Sequence, residues 1–244
     1  MARLAVAVPL CLGLVASGGC GVAATLGRTM DGRREGLQYP PRTAPPVEPK
    51  DGATLRVGKV TAVGIPPGGS QVKLVRWFVL PLLVLNGWEE RWRCELGRAQ
   101  IANDPESFLR ASLVEELQRG SRHPLVSGAA DLELEVTVTK VEASAPIDQG
   151  LWMVLVMNTA SGKSWLRAGP VVSSIEAEVV LRRGADAPRF LRILGEAQVA
   201  VPPDAEGRTD LDFVVPALVD GLSAAIQDLN RKIVEAIDAP PDAA

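Results

Sequence analysis

The sequence predicts an α+β fold: an antiparallel or mixed sheet with two helices packed on one face. Three observations predict it. Residues 131–139 alternate, with Leu132, Leu134, Val136 and Val138 on one side and Glu133, Glu135, Thr137 and Thr139 on the other; this is a strand with one buried face. Residues 175–182 alternate in the same way, meet a turn at residues 183–188, and return through Leu191, Ile193, Ala197, Val199 and Val201, which reads as a hairpin. Val215, Leu218, Val219, Leu222, Ile226, Leu229, Ile233 and Ile237 then fall at steps of three and four, the period of an amphipathic helix.

Taken in order, the chain opens on a leader, residues 1–19. Arg3 precedes an apolar run from Leu4 to Val15, and Ser17, Gly18 and Gly19 lead to Cys20. A basic end, a short apolar core and a small-residue exit make a secretory signal. With the cysteine after two glycines it resembles a bacterial lipobox, with Ser17 where that pattern has a leucine-like residue. That resemblance implies cleavage before Cys20 and acylation of its thiol, with Gly21 favouring an outer-membrane address. Two other readings stay open: secretion with cleavage after Ala24, and retention as an uncleaved anchor. Residues 20–53 then read as a tether. Pro40, Pro41, Pro45, Pro46 and Pro49 break helix and central strand, and the segment would reach up to ~100 Å when stretched.

One domain is expected over residues 54–238, with a tail at 239–244. Leu55, Val57, Val60 and Val63 place a first strand at residues 54–64, closed by Pro66, Pro67, Gly68 and Gly69. Residues 72–85 form a strongly apolar stretch. Asp104, Pro105 and Glu106 start a helix: a carboxylate cap, a proline at the first turn and an acid at the positive end of the dipole. Phe108, Leu109, Leu113 and Leu117 are its apolar face, and Gly120 its stop. After the final helix, Pro240 and Pro241 prevent continuation.

Composition bounds the function. Of 244 residues, 47% are hydrophobic and the formal net charge is −3; a core can form, and there is no basic excess for nucleic acid. Of three cysteines, Cys11 leaves with the leader and Cys20 takes lipid. Cys94 then has no intramolecular partner and reads as a passive thiol.

The five tryptophans lie in or beside two apolar stretches. Trp77 and Trp88 bracket the first, with Trp92 beyond; Trp152 and Trp165 bracket the second. Neither stretch is long enough to span a bilayer as a helix. Two readings stay open: buried strands, or surfaces that meet a membrane or partner, where tryptophan joins an apolar body to a polar N–H. On the second reading the contact residues are Trp77, Phe78, Leu82, Leu83, Trp88, Trp152, Met153, Leu155 and Trp165.

No catalytic or metal residues are assigned, and no cofactor is expected. The single histidine, His123, reads as a solvated loop residue, and one histidine with scattered cysteines does not make a zinc site. There is no Gly-x-Ser-x-Gly. Gly162, Lys163 and Ser164 end like a phosphate loop, but Met157 stands where its leading glycine belongs, so the segment reads as a turn. Glu133, Glu135, Glu176 and Glu178 read as the wet side of strands.

The order of elements resembles small bacterial envelope lipoproteins: the YajG-like group and the auxiliary lipoproteins of ABC-type transport systems. The resemblance rests on the Leu-Arg-Val-Gly strand at residues 55–58, the helix at 105–120, the strand at 132–138, and the late hairpin before a helix at 215–237. It implies a non-catalytic, membrane-anchored component of an envelope transport or assembly system, facing the periplasm from the outer membrane. Its partners would be the membrane, through the lipid, and an envelope protein; its oligomeric state stays open. The alternatives are a structural subunit that oligomerises through the tryptophan-rich segments, and a secreted hydrolase with an unobvious site.

Overall fold

The structure, a computed structural model, describes residues 28–40, 45–48, 50–80, 85–156, 159–201 and 211–239, with backbone alone at 72–80, 85–86, 155–156 and 159–160. The α+β architecture is as the sequence predicts. Seven strands run β1 (Leu55–Ala62), β2 (Gly69–Leu80), β3 (Leu85–Glu95), β4 (Leu132–Val156), β5 (Thr159–Ala168), β6 (Val171–Arg183) and β7 (Arg189–Val199). Two long helices, α1 (Pro105–Gly120) and α2 (Val214–Asp238), complete it. The sheet is mixed: β1 lies parallel to β4, and every other pairing is antiparallel.

Strand β4 is the axis of the molecule. It runs for 25 residues, well past the alternating stretch that ends at Thr139. Its first half is flanked by β1 and β6, its second half by β3 and β5. A register shift between Val138 and Lys140 joins the halves. Before it Leu132, Leu134, Val136 and Val138 are buried; after it Val141, Ala143, Ala145 and Ile147 are. The buried positions pass from even to odd because an extra residue in a bulge turns the following side chains over. The break in alternation that reads as a strand end is this bulge.

Both helices cover the face these residues line. Helix α2 packs on β7, β6 and β4, and α1 on β1 and α2. Leu218, Ile226, Leu229 and Ile233 of α2 are almost fully buried, each contributing roughly 1.5–3 kcal/mol of transfer free energy. Close approach of α2 to β7 requires a glycine: a Cβ on Gly195 would stand 2.4 Å from the Ala225 carbonyl oxygen and 2.6 Å from Leu229 Cβ. Between the helices, Asn230 donates to Ser112 Oγ at 3.0 Å. At the start of α1, Asp104 accepts from the Ser107 amide at 2.9 Å, the predicted cap.

Three expectations are corrected. Part of the segment read as a tether packs on the domain: Met30 and Leu37 join the core. Met30 carbonyl oxygen accepts from Gln100 Nε2 at 2.8 Å, and the Leu37 backbone donates to Asn103 Oδ1 at 3.0 Å and accepts from Asn103 Nδ2 at 3.2 Å. The Gln38 amide donates to Ser223 Oγ (3.1 Å) and Tyr39 to Glu116 (2.8 Å). Farther on, the Val47 amide bonds the Arg119 carbonyl at 2.9 Å, near the end of α1, so the described parts of the segment form a strap held on both helices. Second, His123 is buried, not solvated, at 5% exposure. Its Nδ1 lies 2.8 Å from the Ala53 carbonyl oxygen and its Nε2 3.6 Å from Asp238. Third, residues 162–164 are not a turn but the middle of β5.

Candidate membrane and partner interface

Strands β2, β3, the second half of β4, and β5 form a four-stranded antiparallel ribbon. Neither helix packs substantially on β2, β3 or β5. The two apolar stretches singled out in the sequence are the two hairpins of this ribbon. Trp77 pairs directly with Trp88 across β2 and β3. Gly150 pairs with Trp165 and Trp152 with Lys163 across β4 and β5. The pairing places the two tryptophan pairs in one structural unit, which the sequence left as separate segments.

The alternation of strand side chains gives the ribbon two faces. One carries Trp88, Glu90, Trp92 and Cys94 of β3 opposite Leu151, Gln149, Ile147 and Ala145 of β4. It is the buried face, continuous with the core through Trp92, Cys94, Ala145 and Ile147. Within it Glu90 accepts from Trp92 Nε1 at 3.2 Å and Gln149 Nε2 at 3.0 Å. Trp88 Nε1 is buried with no hydrogen-bond partner among the described residues. Burial, and next the Glu95 charge, push the Cys94 thiol up to about 12, so it stays a protonated thiol and a poor nucleophile.

The other face carries Glu89, Arg91 and Arg93 of β3, Asp148 and Trp152 of β4, and Lys163, Trp165 and Arg167 of β5. Trp152 and Trp165 are half-buried there, while Lys163, Arg167, Arg91 and Arg93 are exposed. The Trp165 ring lies over Gly150, where an added Cβ would come within 2.1 Å of it. Arg91 bonds Asp148 at 2.7 Å, and that hydrogen bond, followed by the carboxylate's charge, holds the guanidinium above its ordinary range. Arg93 bonds Glu95 at 3.1 Å.

Of the candidate contact residues, Trp88 is therefore core. Met153 is half-buried on the Trp88 side, and Trp152 and Trp165 are half-buried on the outer face. Cys20, Leu82 and Leu83 lie outside the described residues, as do the side chains of Trp77, Phe78 and Leu155. Two features escaped the sequence reading. Glu90 alternates in phase with Trp88 and Trp92, which is the signal for a carboxylate held on an apolar face. Lys163 was set aside with the phosphate-loop likeness, although it is the cross-strand neighbour of Trp152.

The acidic residues on the sheet behave as structural charges. Arg56 bonds Glu133 at 2.7 Å and Arg182 reaches Glu135 at 3.5 Å. Among the described residues no group of three or more histidine, cysteine or acidic side chains converges to hold a metal ion. No described helix is long and apolar enough to cross a membrane.

No family model matches the chain, and no curated protein matches it. Among solved structures it is similar to the crystal structure of protein XCC0632 from Xanthomonas campestris, assigned to the family model DUF330. The identity is 15%, the TM-score 0.39, and the match covers 83% of this chain and 94% of that one. The resemblance to YajG-like and transport-auxiliary lipoproteins has no family-model match behind it.

Proposed function

We infer that the protein is a membrane-anchored bacterial lipoprotein of the cell envelope, acting without catalysis as a lipid- or partner-binding component of a transport or assembly system. The observation that supports this reading best is the ribbon. It carries half-buried Trp152 and Trp165 beside exposed Lys163 and Arg167 on a face that neither described helix packs on. Rings with an apolar body and a polar N–H, set among cations, suit a surface that is apolar on one side and wet on the other. The leader and Cys20 supply the address. Metabolic labelling with a palmitate analogue tests it: the wild-type chain takes the label, and Cys20→Ala abolishes it. Label retained on the alanine variant would defeat the lipoprotein reading.

The reading as an oligomerising subunit is favoured by a different observation. Strand β7 is an edge strand, and Phe190 and Leu194 on it are 72% and 43% exposed. Part of that edge is closed by α2: Lys232 bonds the Leu194 carbonyl at 2.8 Å and the Glu196 amide bonds Asp228 at 3.0 Å. Such capping blunts edge-to-edge association, so any self-pairing would use the Phe190 end. Light scattering on the eluting protein distinguishes one mass from several, and Phe190→Lys would return an oligomer to monomer.

A further inference from the structure

We propose that the ribbon rests on the same bilayer that holds the protein's own lipid, with Trp152, Lys163 and Trp165 at headgroup level. The inference builds on the lipoprotein reading of Cys20 and adds a surface, an orientation and a depth. It starts from where the strap ends. Residues 28–40 are not a free tether but are held against the domain by Met30, Leu37, Gln38 and Tyr39. Met30 bonds Gln100, and Glu35 bridges to Ile101, in the segment that directly follows β3. The first held residues therefore sit at the base of the ribbon. Only eight peptide units separate Cys20 from Arg28, a span of about 29 Å at most. An acylated Cys20 keeps the ribbon base within that distance of the headgroups, not at the far end of a long tether.

The ribbon is of matching length. Ten residues of rise from Glu95 to Leu85 extend it by roughly 33 Å from its base. Its composition is graded along that length. The Arg91–Asp148 and Arg93–Glu95 pairs lie nearest the base. Trp165 and Gly150 come next, then Trp152 and Lys163. Beyond them the sequence of β4 is wholly apolar from Met153 to Val156. Along β4, ion-paired residues give way to an aromatic ring with a lysine and then to apolar residues, the order of environments met on entering a leaflet, while the facing ends of β3 and β5 carry Asn86, Gly162 and Ser161.

Depth follows from the open edges. Strands β2 and β5 are the outer strands of the ribbon, and unpaired strand groups are not tolerated in hydrocarbon. Penetration therefore stops at about 5–10 Å, the depth of interfacial elements, and the tryptophans stay among the headgroups.

The test uses the full acylated chain in vesicles of phosphatidylethanolamine and phosphatidylglycerol. Cys94 is fully buried, so an environment-sensitive fluorophore on Lys163→Cys reports that site, with exposed Ser161→Cys as a second reporter and Arg182→Cys, toward the opposite end of the sheet, as the control. The labels at 163 and 161 are expected to shift to the blue and to be quenched at least twofold more than the control by brominated lipid. A flexible insert of about 40 residues after Val22, with a root-mean-square reach of roughly 35 Å, is expected to lower that quenching while vesicle flotation persists. Solvent-like labels at 163 and 161 on protein that floats with vesicles overturn the proposal, as does quenching indifferent to the insert. Failure of Cys20 to take lipid would overturn the lipoprotein reading instead, and shows separately as loss of flotation.

Discussion

At the scale of single residues, the structure turns on close approaches and caps. Gly195 lets α2 lie on β7, so Gly195→Ala is expected to destabilise the domain by about 1–3 kcal/mol in chemical denaturation. Gly128→Ala, with nothing within 4 Å of the new methyl group, serves as the near-neutral comparison. Asp104 and Asp131 titrate below the ordinary carboxylate range. Hydrogen bonds from the Ser107 hydroxyl and amide are the main cause for the first, and from the Thr54 hydroxyl and amide for the second. A depressed folded-state value favours the folded protein above the ordinary range of about 4, and that contribution disappears as pH falls through the lower folded value. Wild type should therefore lose melting temperature more steeply than Asp131→Asn between about pH 5 and about pH 3. Parallel slopes would show that these bonds do not bias the titration. His123 belongs to the same scale: its type and its neighbour Pro124 suggested a wet loop, and only Ala53, Gly52 and Asp238 closing around it make it structural.

At the scale of elements, α2 and the strap carry the distinct contributions. Leu218 of α2 is fully buried, and Leu218→Ala should cost about 2–5 kcal/mol, measured by urea unfolding. The strap is held by a few long-range bonds and by buried Met30 and Leu37, so Leu37→Asp should release the part beyond Met30 without unfolding the sheet. Limited proteolysis then reads a new cleavage within residues 31–53 while far-ultraviolet circular dichroism is preserved; a cooperative loss of all structure would show that the sheet does not stand without the strap. The extents of α1 and α2 and the β6–β7 hairpin were legible in the sequence because caps, alternation and the helical period are local signals, although β6 begins at Val171, four residues before the alternation read from Ile175. The strap was not legible. Its prolines report only that the chain is neither helix nor central strand, and its partners lie as far as 187 residues away, as in the Gln227 bond to the Pro40 carbonyl.

Across the whole molecule, β4 joins two parts of unequal support. Its first half is sandwiched between neighbouring strands beneath α2, while its second half belongs to a ribbon on whose strands β2, β3 and β5 neither described helix packs substantially. Fewer packed contacts mean lower local stability. Amides of β2 and β5 are thus expected to exchange with solvent well before those of β6 and the first half of β4, resolved by mass spectrometry of peptides. Equal protection throughout would mean that the ribbon opens only with global unfolding. Association of the ribbon with vesicles should in turn raise protection in β5.

The sequence by itself determined the α+β class, the N-cap of α1, the β6–β7 hairpin and the apolar stripe of α2, since each depends on residues within a few positions of one another. It also singled out both tryptophan-bracketed stretches, though not that they are neighbouring hairpins. Tertiary structure decided the rest. A bulge at residues 138–140 carries β4 onward where the alternation in the sequence stops, and β3 and β5 then dock on that extension. Whether Trp88 is core while Trp152 and Trp165 face outward depends on strand register. Register is set by pairing between distant segments, and no local pattern encodes it.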